Sequence, residues 1–484
     1  MGEKLIQNIG FAAFALLLSW LLYWAPQSMG VFGGNDNFAH WFLARYAWFQ
    51  PELFLRMWGR PVYTFFFSFA AYGGIEGLKV LNTLLFGLTA LITADVARLM
   101  GYRYHSWLAV LTLSVPLMLE MSISGMTEIP MALVVVGALN LYLQGQYLAA
   151  ALLISFSPFT RPEGWLFIAG FAGLYLLQKR WRALPWLLGG PVFFALVGWP
   201  VYGSPFWFLE RSPYPMVSPY GSGSLWRFVK NLPRDLGALV FVGFVAGHVT
   251  LFLKISKAQR LDRLALILAP FWLFVGAHSY MWYRGIAGSM GLLRVLVSVF
   301  PLALLMSWSA WVQLFRLPKK VGVYAVALLS LVSVQQVWNG YRFPKPEDDF
   351  TKFSREVGSW YRSSEYTEKR LFCDNTMVLY FTEKNPFRED QVQRFFPKKY
   401  FPTVKGNDAG AFILWDSRMT RRRISLDRLM EAPDYRLVKA FFPNKHLHGK
   451  KDLVEVYAFE RLSAPGDHDN YARLQDPEVL TIID

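Results

Sequence analysis

Long apolar runs, separated by short basic or Pro- and Gly-rich breaks, fill the first two thirds of this chain. A helix that crosses a bilayer needs about 20 mostly apolar residues. The pattern predicts eleven such spans, at residues 7–25, 79–97, 106–119, 128–143, 147–158, 164–178, 184–202, 236–253, 264–281, 292–313 and 321–338. No small-x-small cleavage site follows the first run, so we interpret it as a retained signal anchor.

The pattern changes near residue 341, where the segment YRFPKPEDDF introduces a soluble region. RLFCDNTMVLYFT, GAFILWDS and LVEVYAFERL predict buried strands, whereas DDFTKFSREVGSWYRSSEY and SLDRLMEAPDY predict helices. The final SAPGDHDNYARLQDPEVLTIID is interpreted as a peripheral tail. The expected fold is therefore a mainly α integral membrane domain, residues 1–340, followed by a soluble α/β domain, residues 341–484.

Two connections between the predicted spans are long and rich in aromatic residues, at residues 26–78 and 203–235. Within the first, FAHWFLARYAWF and PVYTFFFSFAAYGG combine aromatic faces with polar positions, a pattern typical of helices that lie in the membrane interface. We expect such helices in the first loop, and we expect long loops to carry the function.

Lys and Arg in the short loops predict the orientation. With the N-terminus inside, the inner segments carry 13 Lys and Arg in 40 residues, and the outer segments carry 11 in 114. The bias favours a cytoplasmic N-terminus and, after eleven spans, a soluble domain on the periplasmic or extracellular side. The expected location is a bacterial inner membrane.

The amino-acid composition supports a membrane protein and argues against several other classes of protein. Hydrophobic residues make up 54 % of the chain and charged residues only 17 %. The net charge of +15 would suit a nucleic-acid partner, but the soluble region is nearly balanced, so the excess belongs to the membrane domain. The single cysteine, Cys373, excludes an intrachain disulfide and a Cys-rich metal site. Walker, Rossmann, HExxH and G-x-S-x-G motifs are absent from the sequence.

Asp36 follows the first predicted span, between Asn35 and Asn37. An ionisable group at a membrane boundary usually faces a polar cavity, which makes Asp36 a candidate catalytic carboxylate. The alternative is a helix-capping role ahead of NFAHWFLARY. His40 is one helical turn further on and can share the same face, although a lone histidine more often packs than binds a ligand.

Two further acidic residues are expected at the outer ends of spans. Glu128 opens the fourth span in SISGMTEIPMAL, where it can be functional or can simply complement the helix dipole behind a Thr127 cap. SPFTRPEGW places Arg161 and Glu163 at the end of the fifth span. The structural alternative for these two is an ion pair with each other.

Several arginines are also expected on the outer side: Arg60, Arg161, Arg284 and Arg294. Guanidinium groups grip phosphate with paired hydrogen bonds, so a shared polar cavity would suit a phosphate ligand. Arginines that reach toward lipid headgroups would give the same pattern.

The layout and four short motifs resemble the GT-C superfamily of polytopic glycosyltransferases, which take sugars from polyprenyl- or dolichyl-phosphate carriers on the non-cytoplasmic side. NDNFAHWFLARY resembles the acidic motif of their first loop, which implies that Asp36 is the catalytic carboxylate. GRPVYTFF resembles the basic-Pro element of the protein-mannosyltransferase and aminoarabinose-transferase branch, which implies that Arg60 contacts the donor phosphate. GMTEIPMAL resembles the acidic position of that branch, here Glu128, and TRPEGW an Arg-Pro-Glu-Gly element of bacterial members.

Two departures from the family pattern leave the branch and the sugar open. The first loop has one acid where many members have an acidic pair, and Arg-Pro replaces the commoner Lys-Pro.

The resemblance implies an inverting transfer in which the acceptor hydroxyl loses a proton and the lipid phosphate departs. Such a site needs a carboxylate base, here Asp36 with Glu128 assisting, and cationic donors for the leaving group. The phosphate-binding candidates, in falling order, are Arg60, Arg161, Arg284 and Arg294, and the further site candidates are His40, Glu163 and Tyr63. No cofactor or metal is required, although a divalent cation held by Asp36, His40 or Glu128 is an alternative.

The expected partners are a polyprenyl-phosphate sugar, an acceptor lipid, glycan or protein, and the membrane. A transporter or flippase of a lipid-linked saccharide is the main rival, but it would need charged residues along a crossing path and often an inverted repeat. Neither is visible in the sequence. A non-catalytic assembly protein is a third hypothesis, in which Asp36 would be dispensable.

Overall fold

The computed structural model describes residues 3–253, 255–314, 319–393, 410–422, 424–444 and 454–483. The chain divides into two compact units. The first comprises Met1–Ser28 and Leu43–Lys345, and the second comprises Met29–Phe42 and Pro346–Asp484. The first unit is helical, whereas the second carries a small β-sheet.

Helices α1 to α18 precede residue 345. Their bounds are α1 Glu3–Trp24, α2 Asn35–Tyr46, α3 Pro61–Ala70, α4 Gly74–Leu99, α5 His105–Thr112, α6 Pro116–Ser122, α7 Glu128–Leu143, α8 Tyr147–Ser155, α9 Ser157–Thr160, α10 Gly164–Leu177, α11 Gly189–Tyr202, α12 Trp207–Glu210, α13 Arg227–Leu236, α14 Ala238–Thr250, α15 Lys257–Arg263, α16 Ala269–Arg284, α17 Phe300–Leu314 and α18 Lys319–Gly340.

Within the described part of the chain, six helical stretches are long and apolar enough to cross a membrane, which confirms an integral membrane protein. They are Lys4–Trp24, Pro61–Leu99, Trp181–Tyr202, Lys257–Arg284, Leu293–Leu314 and Val321–Gly340. Four shorter apolar helices occupy Glu128–Leu143, Tyr147–Thr160, Gly164–Leu177 and Ala238–Thr250. Ten of the predicted spans therefore contain an apolar helix, and the total of eleven crossings stays a prediction.

The predicted span at residues 106–119 is not one helix. It consists of α5 and α6, with Val115 in an extended conformation between them. Pro116 causes this break, because proline lacks an N–H and disfavours helical geometry at the residue before it.

The stretch Pro61–Leu99 is too long to be one straight crossing. At 1.5 Å per residue a helix of this length would measure about 58 Å, roughly twice the hydrocarbon thickness. α3 ends at Ala70, a 3₁₀ turn spans Ala71–Gly73, and Gly74, with a φ of +72°, redirects the chain into α4. Exposed Phe65, Phe66 and Phe69 line α3, as expected of an interfacial helix, and that location remains a prediction.

Helix α17 forms the interior of the first unit, since its residues from Phe300 to Trp311 are all buried. It packs closely on α14 through Gly243 and Gly247, where an added Cβ would clash with Ser307 and with the Met306 carbonyl. Small residues four apart allow such close approach between helices in membranes. Thr250 and Ser309 add a hydrogen bond of 2.8 Å between the same two helices.

The second unit contains six described strands: β1 Leu371–Cys373, β2 Val392–Gln393, β3 Phe412–Asp416, β4 Tyr435–Pro443, β5 Val456–Arg461 and β6 Leu480–Ile483. Their order in the sheet is β2-β1-β3-β5-β4-β6. β1 pairs in parallel with β2 and β3, β6 pairs in parallel with β4, and β5 is antiparallel to both of its neighbours. The described helices of this unit are α19 Asp349–Ser363, α20 Thr376–Phe381, α21 Leu426–Met430 and α22 Asn470–Arg473.

The α/β character of this unit agrees with the sequence, but three details differ. The strand predicted over RLFCDNTMVLYFT is only β1, because the Asn375 side chain accepts from the N–H groups of Met377 and Val378 and starts α20. The helix predicted over SLDRLMEAPDY ends at Met430, and β4 begins at Tyr435. The predicted tail contributes α22 and the edge strand β6.

The other predicted elements appear within their segments. Asp348 caps α19 by accepting from the Thr351 N–H at 3.0 Å, so that helix begins as expected. β3 lies in GAFILWDS. β5 lies in LVEVYAFERL, whose first residue, Leu453, is outside the described residues.

Replacing Gly247 with alanine tests the packing of α14 on α17. We expect Gly247→Ala to lower the thermal unfolding midpoint in detergent, by the equivalent of about 1–3 kcal/mol, because the added methyl meets backbone that cannot move aside. Gly276→Ala in α16 is the matched control, since a Cβ there meets nothing within 4 Å. Equal midpoints for the two variants would show that the close approach is not needed for stability.

Candidate functional site

Four segments of the first unit bring charged side chains together. Three of them are the start of α7 with Glu128, the turn between α9 and α10 with Arg161 and Glu163, and the 3₁₀ helix Leu293–Val299 with Arg294. The fourth segment is the C-terminal part of α16 with His278. We call Glu128, Arg161, Glu163 and Arg294 the ion-pair cluster.

Arg161 is the centre of the ion-pair cluster. Its Nη1 donates to Glu128 Oε1 and to Thr127 Oγ1, both at 2.8 Å, and its Nη2 donates to Glu163 Oε1 at 3.1 Å. The expected ion pair between Arg161 and Glu163 is thus present, but the same guanidinium also holds Glu128. Arg161 is 6 % exposed and Glu128 is fully buried, so each charge depends on the other for compensation.

Arg294 and His278 extend the ion-pair cluster on either side. The Arg294 Nε lies 3.3 Å from Glu128 Oε1, so two arginines share one carboxylate oxygen. The His278 Nε2 lies 3.6 Å from Glu163 Oε1. The Oε2 atoms of Glu128 and Glu163 are buried and accept no hydrogen bond within the described part of the chain. Such atoms are rare in proteins and are usually completed by water or a ligand.

Helix α4 and Tyr63 hold the segment that leads into Glu128. The Asn82 Nδ2 lies 2.8 Å from the carbonyls of both Met121 and Ser124, and the Tyr63 hydroxyl donates to the Gly125 carbonyl at 2.6 Å. These side chains satisfy backbone groups of the buried loop before α7. Tyr63, a predicted site residue, therefore supports the segment that carries Glu128.

A tight turn sets the position of Arg161 and Glu163. Ser157 Oγ donates to the Gly164 carbonyl at 3.0 Å, and a Cβ on Gly164 would clash with the Ser157 backbone. Glycine at this position lets α10 start directly against α9. The two charged residues therefore sit in a turn with little freedom to move.

Arg60 lies beside the ion-pair cluster but has a different environment. It is 8 % exposed, its Nη1 donates to the Met57 carbonyl at 2.8 Å, and its Nη2 donates to the Tyr214 hydroxyl. Its backbone φ of +63° is unusual for a residue other than glycine, and such strain concentrates at functional sites. Among the described residues, no carboxylate forms an ion pair with Arg60.

Burial raises the pKa of the Glu163 carboxyl, but the guanidinium of Arg161, together with His278 and Arg60, outweighs that effect and lowers the pKa to about 2. Glu163 therefore stays ionised in neutral and mildly acidic solution, and its pair with Arg161 is lost only as the pH falls through the folded-state value. Arg60 is close to the ion-pair cluster, because Met57, whose carbonyl it binds, lies in one buried apolar cluster with Phe159, two residues before Arg161.

The loop at residues 203–226 is joined to residues 285–291. Val217 and Ile286 form an antiparallel bridge, and the Ser218 N–H donates to the Gly285 carbonyl at 2.8 Å. Tyr214, the partner of Arg60, belongs to the first of these loops and packs closely on Gly288, where an added Cβ would lie 3.1 Å from its ring. The paired loops thus place Tyr214 against the Arg60 guanidinium.

Asp36 and His40 lie on α2 within the second unit. Asp36 occupies the first turn of α2 and is half-buried, and His40 is 4 % exposed. The four-residue spacing puts both on one face of the helix, as predicted. Their catalytic assignment stays a prediction.

Arg284 differs from the other three predicted phosphate-binding arginines. It ends α16 with an exposed side chain and forms no hydrogen bond or ion pair within the described residues. The described residues also contain no group of three or more His, Cys, Asp or Glu that could hold a metal ion.

His278 and Tyr214 were missed by the sequence reasoning. His278 had a usable signal, because it is an ionisable residue inside an apolar span. Tyr214 had none, since it is one of several aromatic residues in a Pro-rich loop.

Solved structures with this fold include two of the same protein. ArnT from Cupriavidus metallidurans in the apo state matches with a TM-score of 0.57 and 12 % identity, over 96 % of this chain and 99 % of that chain. The same protein bound to undecaprenyl phosphate matches with a TM-score of 0.59 and 12 % identity, over 94 % and 98 %. No family model and no curated protein sequence matches the chain. The GT-C resemblance drawn from the sequence is thus confirmed at the level of the fold.

Glu128→Gln tests the ion-pair cluster. The substitution leaves Arg161 and Arg294 without their shared carboxylate, and breaking a buried pair typically costs about 3–5 kcal/mol, so we expect a large fall in the thermal unfolding midpoint. The double variant Glu128→Gln with Arg294→Gln should recover part of the loss, because it restores charge balance.

Asp95→Asn is the control for the loss of an ion pair as such. Asp95 pairs with Arg98 at 2.6 Å in the same unit, but the two side chains are 35 % and 52 % exposed, so we expect a change below about 1 kcal/mol. A midpoint for Glu128→Gln equal to that of Asp95→Asn would contradict a structural role for the cluster.

Proposed function

We propose that the chain is an inverting membrane glycosyltransferase that moves a sugar from a polyprenyl-phosphate donor to an acceptor hydroxyl on the non-cytoplasmic side. One observation carries the proposal: Arg60 is a buried arginine in a strained backbone conformation, lacks a carboxylate partner among the described residues, and lies next to a cluster of balanced charges. The likeness of the fold to ArnT, solved with undecaprenyl phosphate, supports a lipid phosphate as the ligand.

The balance of charge favours an anion beside Arg60. In the ion-pair cluster, the two carboxylates of Glu128 and Glu163 are matched by the guanidinium groups of Arg161 and Arg294. Arg60 adds a further positive charge in a nearly buried position. A buried charge without a counter-ion is costly, so a phosphate would complete this site.

The same arrangement suits the leaving group of the reaction. When the bond between the sugar and the phosphate breaks, negative charge increases on the phosphate oxygens, and fixed cationic donors stabilise that charge. Arg60 is the first candidate for this contact. Arg294 is the second, because its side chain is 16 % exposed and reaches the ion-pair cluster at Glu128.

Glu128 and Glu163 assist the transfer through their unused oxygens and their arginine partners. They hold Arg161 in place, and their buried Oε2 atoms can accept hydrogen bonds from hydroxyl groups of the sugar. Arg161 is engaged at both ends by carboxylates, so its role is to position this wall of the site rather than to bind phosphate.

Asp36 is proposed as the base that accepts the proton of the acceptor hydroxyl, on the basis of its motif. Attack from the side opposite the phosphate inverts the anomeric centre, and no metal is needed where arginines stabilise the leaving group. A divalent cation at Asp36, His40 or Glu128 is the alternative means of stabilisation. The paired loops that carry Tyr214 would cover the bound sugar.

The positive-inside bias supports a cytoplasmic N-terminus and a periplasmic second domain in a bacterial inner membrane. In that orientation the donor reaches the site from the outer leaflet, with its prenyl chain between apolar helices. The domain division at residue 340 is part of the same proposal.

Asp36→Asn tests the enzymatic role. With membranes of matched expression and a panel of radiolabelled polyprenyl-phosphate sugars, we expect transfer by the wild type and a fall in kcat of about 10²- to 10⁴-fold in the variant, with little change in donor KM. Equal kcat in both proteins would remove Asp36 from the mechanism. Donor translocation in proteoliposomes without transfer would favour the flippase.

Arg60→Gln tests the phosphate contact. Loss of a hydrogen bond to a charged group is worth about 1.5–3 kcal/mol, so we expect kcat/KM for the donor to fall by about 10- to 100-fold, with a raised donor KM. Arg211→Gln is the control, because Arg211 is an exposed arginine of the same outer region that rests on Tyr202. The same loss in both variants would mean that general positive charge, not Arg60, attracts the donor.

A further inference from the structure

The first turns of α2 pack within the second unit, although they directly follow the first predicted span in sequence. The Tyr380 ring contacts three aromatic residues of α2. Its centroid lies 4.8 Å from that of Phe38, 4.7 Å from that of Trp41 and 6.4 Å from that of Phe42. Phe38 and Phe42 are each 1 % exposed, so these contacts are buried.

Tyr380 belongs to α20, which is firmly attached to the sheet. Asn375 follows β1, and its side chain accepts from the N–H groups of Met377 and Val378 in the first turn of α20, at 3.1 Å and 3.3 Å. A Cβ on Gly358 of α19 would clash with Phe381, so α19 and α20 are in close contact. The ring of Tyr380 therefore has a fixed position relative to β1.

The beginning of α2 is fixed as well. The Asn37 side chain donates to the carbonyls of Phe32 and Gly34, and both Gly33 and Gly34 have positive φ, which turns the chain into the helix. Phe38 and Asp36 are two residues apart, so they lie on nearly opposite faces of α2, whereas Asp36 and His40 share a face. Holding the Phe38 face consequently sets the rotation of the Asp36 face.

We infer that Tyr380 is a positioning residue for Asp36: its ring holds α2 through Phe38 and Trp41 and so fixes the carboxylate in the orientation that proton transfer requires. The inference rests on the proposed function, in which Asp36 is the base. A misplacement of about 1 Å in a catalytic group can reduce the rate by about 10²-fold, so a ring far from the chemistry can matter.

The test compares three variants of the full-length protein: Tyr380→Ala, Tyr380→Phe and Tyr366→Ala. Tyr366 is the matched control, because it is a buried tyrosine of the same unit that stacks on Phe412 at 4.4 Å and has no ring contact with α2. Two quantities are measured, the kcat and donor KM of sugar transfer and the hydrogen exchange of backbone amides at residues 35–42.

For Tyr380→Ala we expect amide exchange at residues 35–42 to become at least about tenfold faster and kcat to fall by about 10- to 100-fold, with donor KM unchanged. Tyr380→Phe keeps the ring contacts and should restore both quantities. Tyr366→Ala should weaken the second unit without accelerating exchange in α2.

Three results would contradict the inference or its premise separately. Unchanged exchange in Tyr380→Ala would show that Tyr380 does not hold α2. Faster exchange with an unchanged kcat would show that the orientation of α2 is not limiting, and the proposed function would stand. If the wild type transfers no sugar from any donor, the proposed function fails together with the catalytic part of the inference, and the exchange data then decide only the packing role.

Discussion

Neutralisation of Arg161 is the constraint on which the end of the first unit that carries the ion-pair cluster depends. A guanidinium that is 6 % exposed needs counter-charges, and they come from the start of α7 and from the turn before α10. Glu128 also binds Arg294. The ion pairs therefore also hold the 3₁₀ helix Leu293–Val299, which leads into the buried helix α17. Hydrogen bonds from Asn82 and Tyr63 hold the loop before α7, so a shift of any of these elements would leave a buried charge or a buried carbonyl without its partner.

Because the charges of the ion-pair cluster largely compensate one another, the excess positive charge lies on Arg60. Its neighbours on both sides fix the strained backbone: Met57 accepts its N–H at 3.3 Å, and Thr64 donates to its carbonyl at 2.8 Å at the start of α3. Pro61 adds a further restriction, because it disfavours helical geometry at the residue before it. The side chain thus extends from a rigid segment of backbone, so the proposed binding of an anion would cost little conformational entropy.

Apolar spans were predictable because a run of about 20 apolar residues identifies a crossing without knowledge of its neighbours. The start of α7 at Glu128 and the pairing of Arg161 with Glu163 followed from local sequence as well. The contact between Arg161 and Glu128 could not be predicted, since these residues are far apart in sequence and meet only through packing of α7 against the turn at Gly164. The short β1 shows the opposite case, in which a local cap by Asn375 overrides a pattern of apolar residues that favours a strand.

A fold can persist at 12 % sequence identity because an apolar helix bundle places few requirements on individual side chains. Most lipid-facing positions accept any apolar residue, and close helix contacts require only small residues such as Gly243 and Gly247. Buried charges are different, since each requires a partner of opposite charge in a defined place. A shared fold therefore says little about which sugar or acceptor a chain uses, whereas the placement of Arg60 beside a balanced ion-pair cluster is specific chemistry, and differences in function among chains of this fold should be sought in such groups.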